Sequence, residues 1–151
     1  MPASSAFWAI LGIVAGALIA LQAPVNAQLA RAIGSPVVAA AVSFAAGSAA
    51  LLVVTAVLLA SSGTPVTWRG TPLWLFVAGG CLGAFYVTFS IILTPRLGAA
   101  ALMGLAVTGQ LVAGLLLDHY GVLGLATREL SLGRLAGAAL LIAGAVLLRI
   151  A

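Results

Sequence analysis

FWAILGIVAGALIALQAPVNAQLAR, residues 7–31, carries no charged side chain until Arg31. A helix that crosses the hydrocarbon core of a bilayer needs about 20 mostly apolar residues, and this stretch supplies them. Four more stretches of similar character follow: Pro36–Ala60, Pro72–Leu93, Gly98–Leu117 and Leu130–Leu148. With Phe7–Ala30 they make five expected spans. The whole chain agrees: 151 residues, 64% hydrophobic and 5% charged, with a mean hydropathy of +1.32. Soluble domains are roughly 45–50% apolar and about 25% charged, so the solvent of this chain is lipid. Closed barrels, the other architecture lipid permits, need short strands of alternating polarity; the Ala/Leu/Val/Gly runs here do not alternate. The fold expected is an all-α integral membrane protein, one five-helix domain over residues 1–151.

The joints between the spans are short. Gly34-Ser35-Pro36 makes the first turn, and Ser61-Ser62-Gly63-Thr64-Pro65 is a cluster of breakers that reads as a loop. Thr94-Pro95-Arg96 stops the third span, and the longest polar connection is Asp118–Glu129. Residues 1–27 lack the positive n-region of a cleaved signal peptide and their apolar run is long, so the first helix is expected to be retained.

Five spans place the six arginines evenly. Let side A be the membrane face of the N-terminus. Arg69, Arg128 and Arg134 then fall on side A, and Arg31, Arg96 and Arg149 on side B, with no lysine to break the tie. Orientation follows the Lys/Arg bias of short loops and acidic residues contribute little, so a tie predicts insertion both ways. Two oppositely oriented copies would then pair as a dual-topology antiparallel homodimer. Trp8, Trp68, Trp74 and Tyr120 all lie at side A ends of spans. Interfacial aromatics normally occur at both faces, which an inverted pair would supply. The sequence pI near 10.8 reflects single arginines at helix ends, not a basic cluster, so a nucleic-acid partner is not expected. Cys81 is the sole cysteine, so no intrachain disulfide can form.

The densest polar stretch within a span is Gln22-Ala23-Pro24-Val25-Asn26-Ala27-Gln28. Gln22 and Asn26 are four residues apart and hence share a helix face, while Pro24 cannot donate to the carbonyl of Ala20. Two readings fit. The patch lines a substrate path at a broken point of the helix, or its amides hold helices together. Gln110 is the matching amide of the fourth span. Gln22 lies roughly two-thirds of the way from side A to side B, and Gln110 about two-thirds of the way back, so inverting one copy would bring them to one depth. Tyr86, Thr88 and Ser90 add candidate lining hydroxyls, as do Ser43 and Thr108, although single hydroxyls often bond their own helix backbone. Asp118-His119 at the end of the fourth span reads either as an interfacial pair neutralised by Arg128 or Arg134, or as a proton-coupling pair.

Small residues let membrane helices approach closely. Gly12/Gly16, Gly79/Gly83 and Gly133/Gly137 have the four-residue spacing of packing faces, within one subunit or between two. No carboxylate lies inside a span, and no phosphate-binding loop, metal-ligand cluster or Ser/His/Asp set is present. No catalytic residue, metal or cofactor is therefore expected, and an enzyme is not the reading.

QAPVNAQLAR (residues 22–31), Gly34-Ser35-Pro36, GAFYVT (83–88), PRLGAA (95–100), Gly109-Gln110 and LDHYG (117–121) together resemble the YdcZ-type family of bacterial inner-membrane proteins, in the drug/metabolite transporter superfamily. The resemblance covers nearly the whole chain. It implies a five-helix half of an inverted-repeat transporter, located in the inner membrane as a multi-pass protein, with an exporter's role and an open substrate. Carried onto this chain, the family-like polar positions are Gln22, Asn26 and Gln110, with Asp118-His119 at the helix end. The function expected is secondary transport of a small molecule by an inverted pair of copies, with a polar site near the midplane. The alternatives are a lipid or amphiphile handler with a lateral groove, akin to a scramblase, and a non-transporting membrane subunit. The partners expected are membrane lipid, a second inverted copy, and a small-molecule or lipid-like substrate.

Overall fold

A computed structural model of the chain describes residues 5–63 and 66–150, apart from the side chains of residues 62 and 149. The described residues form α1 (Ser5–Ile33), α2 (Pro36–Ser62), α3 (Leu73–Leu97), α4 (Ala99–Tyr120), a 3₁₀ turn at Val122–Gly124, and α5 (Leu132–Ile150). Helices α1 to α4 are long and apolar enough to cross a membrane, and α5 is a shorter apolar helix. Contacts gather the chain into two compact units, Met1–Ile92 and Leu93–Ala151.

The first unit turns on Gly34-Ser35-Pro36. Gly34 takes φ of 78°, a left-handed value that ends α1, and its N–H donates to the Ala30 carbonyl at 2.9 Å. Ser35 is extended and its hydroxyl accepts from the Val38 N–H, with Pro36 opening α2. A cap and a proline at these positions satisfy or dispense with donors that a helix start leaves bare. So tight a joint lays α2 back along α1. Along α1 the buried residues are Ala23, Asn26, Ala27 and Ala30, a three-and-four spacing that makes one stripe. Ala30, Ala39, Ala40, Val87 and Ile91 form the core of this unit, with Leu29 and Tyr86 packed against it. This core sits at the turn end of the α1–α2 pair. Beyond it the helices open: every described α2 residue from Phe44 to Ser61 is exposed, an apolar surface suited to lipid or to another helix.

In the second unit α4 packs on α5. A Cβ added to Gly104 would lie 3.3 Å from both Cα and Cβ of Ala145, so the missing side chain sets how near the two helices come. Ser131 caps α5, its hydroxyl accepting from the Arg134 N–H at 3.3 Å.

The helix ends differ from those read in the sequence, by two or three residues in α1 and α5 and more tellingly at the ends of α2, α3 and α4. Helix α3 does not stop at Thr94-Pro95-Arg96 but runs to Leu97, with Pro95 inside its last turn. A proline there removes only one backbone donor; the stop is Gly98, at φ of 78°, whose N–H donates to the Thr94 carbonyl. Helix α2 continues through Ser62 to a left-handed Gly63 cap, and the Thr64-Pro65 part of the expected breaker cluster lies outside the described residues. Helix α4 continues past Asp118-His119 to Tyr120, where Gly121 at φ of 60° ends it.

Candidate functional site

Pro24 stands inside α1, so the helix lacks one N–H in the turn that carries Gln22 and Asn26. The two amides meet different surroundings. Gln22 is exposed and lines a notch of about 200 Å³ with Ser43, Phe44, Gly47, Ser48 and Leu51 of α2. Phe44 forms one wall of the notch. A Cβ on Gly83 of α3 would lie 3.1 Å from the nearest carbon of the Phe44 ring, tighter than an ordinary contact, so a glycine in α3 eases the approach of the ring. The notch thus combines an amide and two hydroxyls with an aromatic wall, on helices whose other lining is apolar.

Asn26 belongs to the buried stripe and keeps only 5% of its surface exposed. Its Nδ2 is buried without a hydrogen-bond partner, and so is the Tyr86 hydroxyl. Tyr86 packs against the cluster containing Ala30, which lies one helical turn beyond Asn26. Ser90 is also buried, but its hydroxyl donates to the Val87 carbonyl at 2.8 Å, the local back-bond expected of a lone hydroxyl in a helix. Thr88 is half-buried in α3. In the second unit, Gln110 is exposed on α4, and the Thr108 hydroxyl donates to the Gly104 carbonyl at 2.9 Å.

Asp118 is paired. Its carboxylate accepts from the Arg134 guanidinium across the α4–α5 connection, and its backbone carbonyl accepts from the Arg128 N–H at 2.8 Å. Of the two expected partners, Arg134 forms the ion pair and Arg128 contributes its backbone. His119 is exposed and meets Tyr120 edge-on at 5.0 Å. Arg31, Arg69, Arg96 and Arg128 are exposed at helix ends or in connections; the side chain of Arg149 lies outside those described.

Among the expected packing glycines, Gly83 makes the contact with Phe44. A Cβ on Gly12, Gly16, Gly79 or Gly137 would meet nothing within 4 Å, and on Gly133 only the Ser131 hydroxyl at 4.0 Å. Sequence reasoning missed Ser48, Phe44 and Gly47 as lining of the notch. A signal was present: within the apolar run of α2, Ser43, Ser48 and Thr55 are the polar residues. It also missed Gly104, whose partner Ala145 lies in a different helix and so leaves no spacing to read.

The family described as "Putative inner membrane exporter, YdcZ" matches residues 7–147. No curated protein and no solved structure matches the chain.

Proposed function

The chain belongs to the YdcZ-type family of inner membrane proteins, and from that premise we propose that it is a secondary exporter of a small, neutral or weakly charged solute. The family's description suggests an inner membrane exporter. The observation that carries the reading is the notch: an amide and two hydroxyls gathered on α1 and α2 within one turn of Pro24, where α1 runs on unbroken but lacks one N–H. Polar groups at membrane depth need a partner or a water-lined cavity, and inverted-repeat transporters bind their solutes near the midplane at the interface of the repeats.

In this proposal α5 is the fifth crossing. Its 19 residues extend about 28 Å at 1.5 Å per residue, close to the roughly 30 Å of a hydrocarbon core. An odd number of crossings puts the termini on opposite sides, and the working unit is two copies inserted in opposite senses. Gln22 of one copy and Gln110 of the other then lie at matching depths. The two copies rock against each other to open the site to one side at a time.

Purified protein in proteoliposomes, screened against a panel of small polar solutes, tests this. Flux above empty vesicles is expected for at least one solute, and Gln22→Ala is expected to lower it about tenfold at equal insertion. Absence of flux for every solute, or a Gln22→Ala rate equal to wild type, would overturn the reading. A lipid-handling role has one observation in its favour, an apolar groove of about 550 Å³ between α4 and α5 that includes Met103, Gly104, Val107, Leu140 and Leu148. Scrambling of a fluorescent phospholipid by the same vesicles, without solute flux, would decide for it.

A further inference from the structure

We infer that the Asn26–Tyr86 region of the first unit is an acceptor-selective binding site, taking an uncharged or zwitterionic solute through its oxygen atoms and rejecting cations. The inference rests on the exporter reading and adds the chemical class of the solute. Asn26 is 95% buried by its 5% exposure, and the atom left without a partner is its donor, Nδ2. The Tyr86 hydroxyl, also buried and unpartnered, can donate as well. Buried polar groups are nearly always hydrogen-bonded, and an exception calls for an explanation. Tyr86 packs against a small core that includes Ala30, one helical turn beyond Asn26 on α1, and a ligand that carries acceptor oxygens, such as a carbonyl, an amide or an N-oxide, would satisfy both donors.

The charges point the same way. The chain has two acidic residues, Asp118 and Glu129, and neither lies in the first unit. Asp118 is held by Arg134. No counter-charge is therefore available in this unit to offset the desolvation of an ammonium ion. Access follows from the helix itself. Asn26 lies four residues beyond Gln22, about 6 Å along the axis, so a solute entering the notch at Gln22 need advance by one helical turn. Pro24, between them, is where α1 is least able to hold its regular bonding.

Asn26 is the sole asparagine of the chain, which makes the test direct. Full-length protein labelled with 15N-asparagine in nanodiscs gives one side-chain amide pair, and that pair is followed while two probes of similar size are titrated: trimethylamine N-oxide, which offers an acceptor oxygen, and tetramethylammonium, which offers none. The expected result is a saturable shift with the N-oxide, at least about tenfold tighter than any response to the cation. Tyr86→Phe should weaken the N-oxide response while the Asn26 main-chain signal stays in place. An amide pair that contacts only water and ignores the N-oxide overturns the inference, as does an equal response to both probes. The two claims fail separately. Solute flux with a silent amide pair removes the inference and leaves export standing, whereas a responsive pair in a protein without flux does the reverse.

Discussion

Asn26 is the residue at which stability and use pull apart. An unsatisfied buried donor costs about 1–3 kcal/mol, and nothing among the described residues offsets that cost for its Nδ2. Asn26→Leu, with the same branched skeleton of four side-chain heavy atoms and no polar ones, is therefore expected to raise the free energy of unfolding by about 1–3 kcal/mol in detergent, and to abolish any solute flux. Gln22→Ala, at an exposed position, should leave stability within about 0.5 kcal/mol of wild type. Thermal or SDS unfolding of the three proteins checks the order; an Asn26→Leu protein less stable than wild type would show that the amide is a satisfied structural group. Both amides were legible in the sequence as polar intrusions, but their separate surroundings were not. Four residues turn a helix by about 40° beyond a full circle. That offset is enough to put Asn26 in the α1 stripe and Gln22 at the mouth of the notch.

At the scale of elements, the α4–α5 connection is braced both by backbone conformation and by an ion pair. Gly121 holds a left-handed conformation, and a Cβ there would fall 2.5 Å from Cγ2 of Thr127 and 3.2 Å from the Leu125 carbonyl oxygen. Asp118 ties the end of α4 to Arg134 with both side chains about one-third exposed. These contributions differ in size. An ion pair in contact with water is worth up to about 1 kcal/mol, whereas alanine at Gly121 adds both backbone strain and a collision that the loop must move to relieve. Gly121→Ala is expected to cost about 2 kcal/mol or more and Asp118→Ala about 1 kcal/mol or less, measured as shifts in unfolding midpoint; the reverse order would mean that the ion pair organises the turn. Helices of this kind are easy to place from composition, and their ends are harder. Pro95 looked like the stop of α3 because proline lacks a donor, yet one lost bond in a last turn is tolerated and Gly98 ends the helix by its conformation. Close approach was likewise read from glycine spacing along single helices. The contact of Gly104 with Ala145 depends on which helices meet, which spacing does not encode.

For the molecule as a whole, the proposed inverted pair requires both orientations, and the arginines are the side chains that would set them. Arg134 is neutralised by Asp118 in the folded chain, but orientation is set during insertion by Lys and Arg with little weight for acidic residues, so Arg134 still belongs to the side A total. With α5 as a crossing, the totals on the two sides are equal, and one added charge should decide the matter. Thr67→Lys, in the exposed connection before α3, adds a positive charge to side A and should fix that side in the cytoplasm. Ala32→Lys, exposed beside Arg31, should fix side B there. Each variant alone is expected to give one orientation by reporters at both termini and to lose flux at least about tenfold, because opposed partners are missing. Co-expression of the two variants should restore opposite orientations and, with them, flux toward the wild-type rate. A wild-type chain with both reporters in one fixed sense, or a single variant that still transports at the wild-type rate, would mean that the exporter works without an inverted copy and that the balance of arginines has no part in its assembly.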